Sequence, residues 1–179
     1  MNFFAVTFMD NPIAELLSKL DHKTLAIWAI DCAEHVLPYF EEKYPKDNRP
    51  RKAIEAGRAW VRGEIAMSEA RTAAFAAHAA ARDANQDAAR ATARAAGHAA
   101  ATAHVAGHAG HAATYAAHAA GHTVDSTDFA AAAAKERDWQ YQHLLNLIDN
   151  LVEPCSHEFN PWLDRPTSLQ ARKSPQSDR

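Results

Sequence analysis

Apolar residues recur every three or four positions along most of the chain, and charged residues fall between them. In the segment LAIWAIDCAEHVLPYF (25–40), Trp28, Cys32 and Val36 share one face of a helix that turns about 100° per residue. After position 9, no sustained alternation of β-branched and polar residues predicts a strand. The pattern therefore predicts an all-α protein.

Capping and breaking residues divide this pattern into separate helices. Ser, Asp or Asn precedes several apolar runs, and Pro or Gly marks points where a helix begins, bends or ends. In the first half of the chain, the pattern predicts a helix over 11–20, one that begins at 21 and is interrupted at Pro38, and one from Pro50 to Gly63 capped by Asp47 or Asn48. In the middle, it predicts a helix from Ser68 to about 83–86 and another from about 87 to a break near 105–110. The last two predicted helices run over about 111–121 and from 126–128 to 153–154. We expect a compact, alanine-rich multi-helix bundle of about six or seven helices.

The length of 179 residues is typical of one domain with its own buried core. We assign that single helical domain to residues 11–154, preceded by an N-terminal extension at 1–10. Residues 155–179 are polar and contain several prolines, so we expect an irregular, largely disordered tail.

Alanine accounts for much of the 47% hydrophobic content. Because an alanine side chain buries little area, stability must come from close helix contacts and from a few large anchors, the Trp and Phe residues. The net charge of -3 disfavours a dedicated nucleic-acid binder.

The cysteines also bear on location and activity. Cys32 and Cys155 form no CxxC pair, which fits free thiols in a reducing compartment, and Cys32 lies on an apolar helix face, where inert burial is expected. No window resembles a signal peptide or a membrane span. We expect a cytoplasmic protein without a membrane partner.

Six histidines punctuate the alanine-rich stretch GHAAATAHVAGHAGHAATYAAHAAGH (97–122). His104 and His108 have the i,i+4 spacing of helical zinc sites, and with His98 they are candidate ligands for Zn or Ni. No Asp or Glu lies between Ala88 and Val124, so a metal centre would need three histidines or ligands from another helix. The alternative is that these imidazoles fill space between packed helices. For His111, His118 and His122 as a group, the sequence suggests no role.

Charged side chains suggest a partner surface. On the predicted fourth helix, Arg71, His78 and Arg82 lie along one face, either as a cationic surface for an acidic partner or paired with acids from the first half of the chain. The candidate partner-binding residues are Asp31, Glu34, Arg71, His78, Arg82 and Arg90. In KERDWQ (135–140), the Glu and Gln one turn apart are candidates either to cap a helix or to bridge to arginines of earlier helices, and the Trp is expected in the core.

No phosphate-binding loop, nucleophile elbow or HExxH motif occurs in the sequence, so we predict no catalytic residues and no enzyme.

Residues 25–65, 69–109 and 135–140 together resemble the immunity-protein-five-like family of bacterial polymorphic toxin systems. The resemblance implies an all-α, enzymatically inactive protein. We expect no cofactor. It also implies a cognate toxin as partner, which the protein binds and neutralises in the cytoplasm of the producing cell.

Two other functions stay open at this point. One is a histidine-rich metal-binding helical protein that uses His104 and His108, with His98 or His111 as a further ligand. The other is weak nucleic-acid binding below about pH 6, where protonated histidines add positive charge. If the protein is an immunity protein, its mixed surface charge would suit a basic toxin, for example a nuclease.

Overall fold

The computed structural model describes residues 12–152, and within this range all regular structure is helical. Six helices have 13 residues or more, and two are short. In chain order they are α1 (Pro12–Leu17), α2 (His22–His35), α3 (Pro38–Glu41), α4 (Arg49–Val61), α5 (Met67–Asp83), α6 (Asp87–Ala101), α7 (His108–Gly121) and α8 (Phe129–Val152). The predicted all-α bundle is confirmed.

Side-chain caps fix several boundaries where the sequence predicts them. The Asp21 carboxylate accepts the backbone N–H groups of Lys23 and Thr24 at 2.9 and 3.1 Å, which satisfies donors that the first turn of α2 leaves free. The Asp47 carboxylate accepts the Arg49 N–H at 3.1 Å, whereas Asn48 makes no side-chain cap bond. Asp47 is therefore the capping side chain of α4.

Proline and glycine mark two further boundaries as predicted. After α2 ends, the chain restarts as the short helix α3 at Pro38, whose ring fits a first helical turn. Gly63 follows α4 with a φ of +76°, a left-handed conformation that favours glycine. Its N–H donates to the Trp60 carbonyl at 2.9 Å, so the last turn of α4 is closed by backbone hydrogen bonds.

The predicted break in the histidine-rich region is displaced. We expected it near 105–110, but α6 ends at Ala101 and α7 already begins at His108, so Gly110 lies inside a helix. The His22 ring donates from Nε2 to the Thr102 carbonyl at 2.5 Å, which takes up an acceptor freed at the end of α6. A hydrogen bond from α2, 80 positions earlier in the sequence, is therefore made at the turn that follows α6.

Helix α6 lies at the centre of the bundle and packs against α2, α3, α4, α5 and α7. Ten of its fifteen residues are buried, nearly all of them alanine. Large side chains that the sequence predicts as anchors stand on helices that pack against α6, with Trp28 on α2 and Phe40 on α3 essentially inaccessible. Phe75 is an exception among the aromatic residues, because 60% of it is exposed.

Several sequence predictions lie outside the described residues. They concern the extension at 1–10, the tail at 155–179, Asn11 as a cap, the last helix end at 153–154, and Cys155. Among the helices of residues 12–152, none is long and apolar enough to cross a membrane.

The close approach of α5 to α6 predicts an unusual effect of Gly97→Ala. Alanine ordinarily stabilises a helix by about 1 kcal/mol relative to glycine, but a Cβ at position 97 would lie 2.6 Å from the His78 ring. We expect this substitution to lower the free energy of unfolding by about 1–3 kcal/mol, measured by urea unfolding.

Gly107→Ala is the matched control. Position 107 has φ of -60° and ψ of -17°, and the only atom near a new Cβ is 4.0 Å away on Val105. This change should be neutral or should stabilise by up to about 1 kcal/mol. Equal stabilisation by both substitutions would contradict the close packing at Gly97.

Candidate functional site

Four histidines from three helices meet at the seam between α5, α6 and α7. The turn over 102–107 reverses the chain, so α7 packs back along α6 and His108 comes opposite His98. The Nδ1 atoms of these two rings are 3.2 Å apart. Ring nitrogens of His98, His108 and His111 lie within 4.8 Å of one another, and the His78 ring stands against His98 at a centroid distance of 4.9 Å.

Aromatic contacts and tight backbone packing hold this histidine cluster, by which we mean His78, His98, His108 and His111. The Tyr115 ring stacks on His98 with centroids 5.3 Å apart and planes only 9° from parallel. Gly97 leaves the space that His78 occupies. The Nδ1 atom of His78 is buried without a hydrogen-bond partner among the described residues, which leaves a polar atom unsatisfied in the middle of the cluster.

Burial keeps the inner imidazoles neutral. Desolvation, together with repulsion from His78, His108, His111 and Arg94, lowers the pKa of His98 to about 3. Desolvation, with the charge of Arg94 next in importance, lowers the pKa of His78 to about 4. At neutral pH both rings therefore carry a free lone pair, the form in which histidine binds a metal.

The structure groups the histidines differently from the predicted set of His98, His104 and His108. His104 contacts His108 at a centroid distance of 5.1 Å, but it is not part of the converging group, and His111 is. His122 packs edge-on against Phe129 at 4.9 Å. The i,i+4 spacing of His104 and His108 fails as a guide because His104 lies in the turn before α7 and not on the same helix as His108. The i,i+3 spacing of His108 and His111 within α7 is the sequence signal that identifies this pair.

The predicted carboxylates on α2 are engaged inside the protein. Asp31 accepts from Arg58 Nη2 at 2.9 Å and pairs with His143 Nε2 at 2.8 Å. Glu34 binds the same Arg58 guanidinium. Sequence analysis missed Arg58 and His143, since they come from α4 and α8 and no local spacing links them to α2.

A second group of stacked rings includes His143, the imidazole that pairs with Asp31. Trp139 lies between two imidazoles, with centroid distances of 3.7 Å to His35 and 5.0 Å to His143. His35 Nδ1 pairs with the Glu136 carboxylate at 2.9 Å. Glu136 is only 5% exposed, and this burial raises its pKa.

The KERDWQ motif therefore fastens α8 to α2 and α7. The side-chain amide of Gln140 donates to the Ala113 carbonyl at 3.0 Å and to Glu136 at 3.1 Å. The backbone carbonyl of Gln140 accepts from the Trp28 indole N–H at 3.1 Å. The expectation that Glu136 and Gln140 bridge to arginines is wrong. Their partners are His35, Trp28 and a backbone carbonyl, because α8 lies against α2 and α7 at this level.

The predicted cationic residues lie elsewhere, on α5 and the start of α6. Arg71 stands over the exposed Phe75 ring at 5.5 Å. Arg82 is exposed as well, whereas Arg90 binds the Asp87 carboxylate at 2.8 Å and the Ala84 carbonyl at 3.0 Å. Since α2 and α5 have little direct contact and each packs on α4 and α6, the six candidate partner residues do not form one cluster.

The fold and these sites define an all-α, alanine-rich helical bundle with a histidine-lined seam and internally paired carboxylates. Residues 15–147 match the family described as Imm-5 like putative immunity protein. The chain belongs to this family, which confirms the resemblance seen in the sequence. Comparison with curated proteins and with solved structures gave no match.

The lowered histidine pKa values predict acid sensitivity. The inner rings bind protons in the unfolded chain below their ordinary pKa of 6.5 but resist them when folded, so the free energy of unfolding should fall as pH drops from 6.5 to 4.5. Chemical unfolding at several pH values, with a chelator present, measures this slope.

His98→Gln removes one of these protonation sites and should make the slope shallower. His122→Gln, at an exposed position outside the cluster, controls for the loss of an imidazole as such. An unchanged slope in His98→Gln would contradict the assignment of the acid sensitivity to this cluster.

Proposed function

We propose that this protein is an immunity protein that binds and neutralises a cognate bacterial toxin in the cytoplasm of the producing cell, and that it catalyses no reaction. The observation that carries the proposal is the family match over residues 15–147. Inhibition by an immunity protein needs only a complementary surface that blocks the toxin, so a stable helical scaffold suffices.

The chemistry of the polar groups supports a non-catalytic role. Asp31, Glu34 and Glu136 are each held by a cationic or imidazole partner within the protein. The Cys32 side chain is fully buried, as the sequence predicts, and burial raises the pKa of its thiol well above the ordinary value. A thiol that stays protonated and inaccessible is a poor nucleophile.

The outer face of α5 is the surface best suited to bind the toxin. It exposes Phe75 and Met67, at 60% and 45%, with the Arg71 guanidinium over the Phe75 ring. Exposed aromatic and arginine side chains are the residues that most often dominate binding energy in protein interfaces. We take Met67, Arg71, Phe75 and Arg82 as the α5 face.

Charge on this face indicates what the toxin surface should carry. Of the acids near this face, Asp83 is paired with Arg49 at 2.8 Å, whereas Glu69 accepts the Ala66 N–H at 2.9 Å at the start of α5 and keeps its charge. Arg71 and Arg82 then give the α5 face a positive character, which is complementary to an acidic patch on the toxin. A nuclease fits this proposal if that patch lies outside its nucleic-acid cleft.

Substitutions on the α5 face should weaken toxin binding and protection. With a toxin encoded beside this gene, we expect Phe75→Ala and Arg71→Glu each to weaken binding by about tenfold or more, measured by calorimetry, and to reduce survival on co-expression. Leu151→Ala, which removes a large side chain that is 58% exposed on α8, is the matched control. If both α5 variants bind and protect like the wild type, the α5 face is not the toxin-binding surface.

Titration distinguishes a binding mechanism from a catalytic one. Residual toxin activity should fall in proportion to the added protein and end at a fixed stoichiometry, because each copy occupies one toxin. Protection by a small fraction of an equivalent would show turnover and would contradict the non-catalytic role. Failure of neighbouring toxins to bind, together with unrelieved toxicity, would contradict the immunity function itself.

A further inference from the structure

We propose that His98, His108 and His111 bind one divalent transition-metal ion, with Zn²⁺ as the ion to test. The three side chains come from two helices and converge with ring nitrogens within 4.8 Å of one another. This site is separate from the α5 face and does not depend on the proposed immunity function.

The spacing of the first two donors already matches a coordinated pair. Zinc–nitrogen bonds of about 2.0–2.1 Å in tetrahedral geometry place two ligand nitrogens about 3.3–3.4 Å apart. The Nδ1 atoms of His98 and His108 are 3.2 Å apart. The His111 ring nitrogen lies within 4.8 Å of theirs, so it must move closer by about 1.5 Å to reach the tetrahedral separation. His111 is exposed, so its side chain is free to rotate by this distance.

The scaffold restricts the inner ligand to one position. Tyr115 stacks on one face of His98, and His78 meets the ring nearly edge-on, with planes 72° apart. Both ligand-bearing helices are held by alanine packing, with Ala95, Ala99 and Ala112 fully or almost fully buried. A site positioned in this way costs little reorganisation when the ion binds.

The donor set selects the class of metal. Three imidazole nitrogens suit zinc and nickel better than calcium or magnesium, which take oxygen ligands. No carboxylate belongs to the converging group among residues 12–152, so the fourth coordination position is left for water or for a ligand from outside the chain.

A second observation also indicates an additional ligand in this region. The Nδ1 atoms of His78 and His104 are buried and have no hydrogen-bond partner among the described residues. The His78 ring contacts His98, and the His104 ring contacts His108 at 5.1 Å. Buried polar atoms without partners are rare in folded proteins, and two of them beside the ligand histidines are expected where water or an ion completes the site.

The test uses full-length protein without a histidine tag, freed of metal with a chelator. Zn²⁺ is titrated in competition with a chromophoric indicator, and Co²⁺ is added in parallel to report the coordination geometry by visible absorption. We expect one Zn²⁺ per chain and the intense Co²⁺ bands of a tetrahedral site. His111→Gln should weaken Zn²⁺ binding by at least about tenfold, and His122→Gln should leave it unchanged.

Both the Zn²⁺ stoichiometry and the effect of His111→Gln can contradict the proposed site. His111 is exposed, so its replacement tests the site without disturbing the core, and circular dichroism establishes whether His98→Gln also remains folded. Absence of stoichiometric Zn²⁺ binding, or equal binding by wild type and His111→Gln, would overturn the proposal. Because the isolated chain is used, such a failure is distinct from a failure of toxin neutralisation.

Discussion

The structure depends on the close approach of helices through alanine and glycine surfaces around α6. Alanine contributes little buried area of its own, so the neighbours must come near enough for many backbone and methyl contacts to accumulate. Gly57 and Gly97 show how near they come, since an added Cβ would lie 3.0 Å from Ile30 and 2.6 Å from His78. Large apolar side chains stand on the helices that surround α6, for example Trp28 on α2 and Ile54 on α4.

This packing also explains why polar clusters occur where they do. Where two helices meet through a glycine, a ring can fit between them, as the His78 ring does at Gly97. The seam of α5, α6 and α7 holds the histidine cluster, and the junction of α2 with α8 holds Trp139 between His35 and His143. In the first cluster, burial lowers the pKa values of His78, His98 and His108, whereas the imidazoles of the second pair with carboxylates from α2 and α8. The side chains of the α5 face are exposed and do not pack between helices in this way, which is why the α5 face is the proposed binding surface.

Local signals in the sequence predicted the helices well, and contacts between helices account for what was missed. Asp21, Pro38 and Gly63 act on their own helix ends through backbone groups, so their effects could be inferred from neighbouring residues. The turn after Ala101 could not, because it is accompanied by a bond from His22, 80 positions earlier. For the same reason the sequence offered His98 and His111 only as alternative partners of His104 and His108, whereas the converging group is His98, His108 and His111. It likewise identified Asp31 without its partners on α4 and α8.

Native-state hydrogen exchange tests most directly the claim that the fold is built around α6. If its alanine surfaces bind all five neighbouring helices, the interior amides of α6 should open only by global unfolding. Their exchange free energy should then equal the free energy of unfolding measured with denaturant, while the exposed C-terminal turns of α8 exchange by local opening. Exchange of the α6 amides at a free energy well below that of global unfolding would contradict the account.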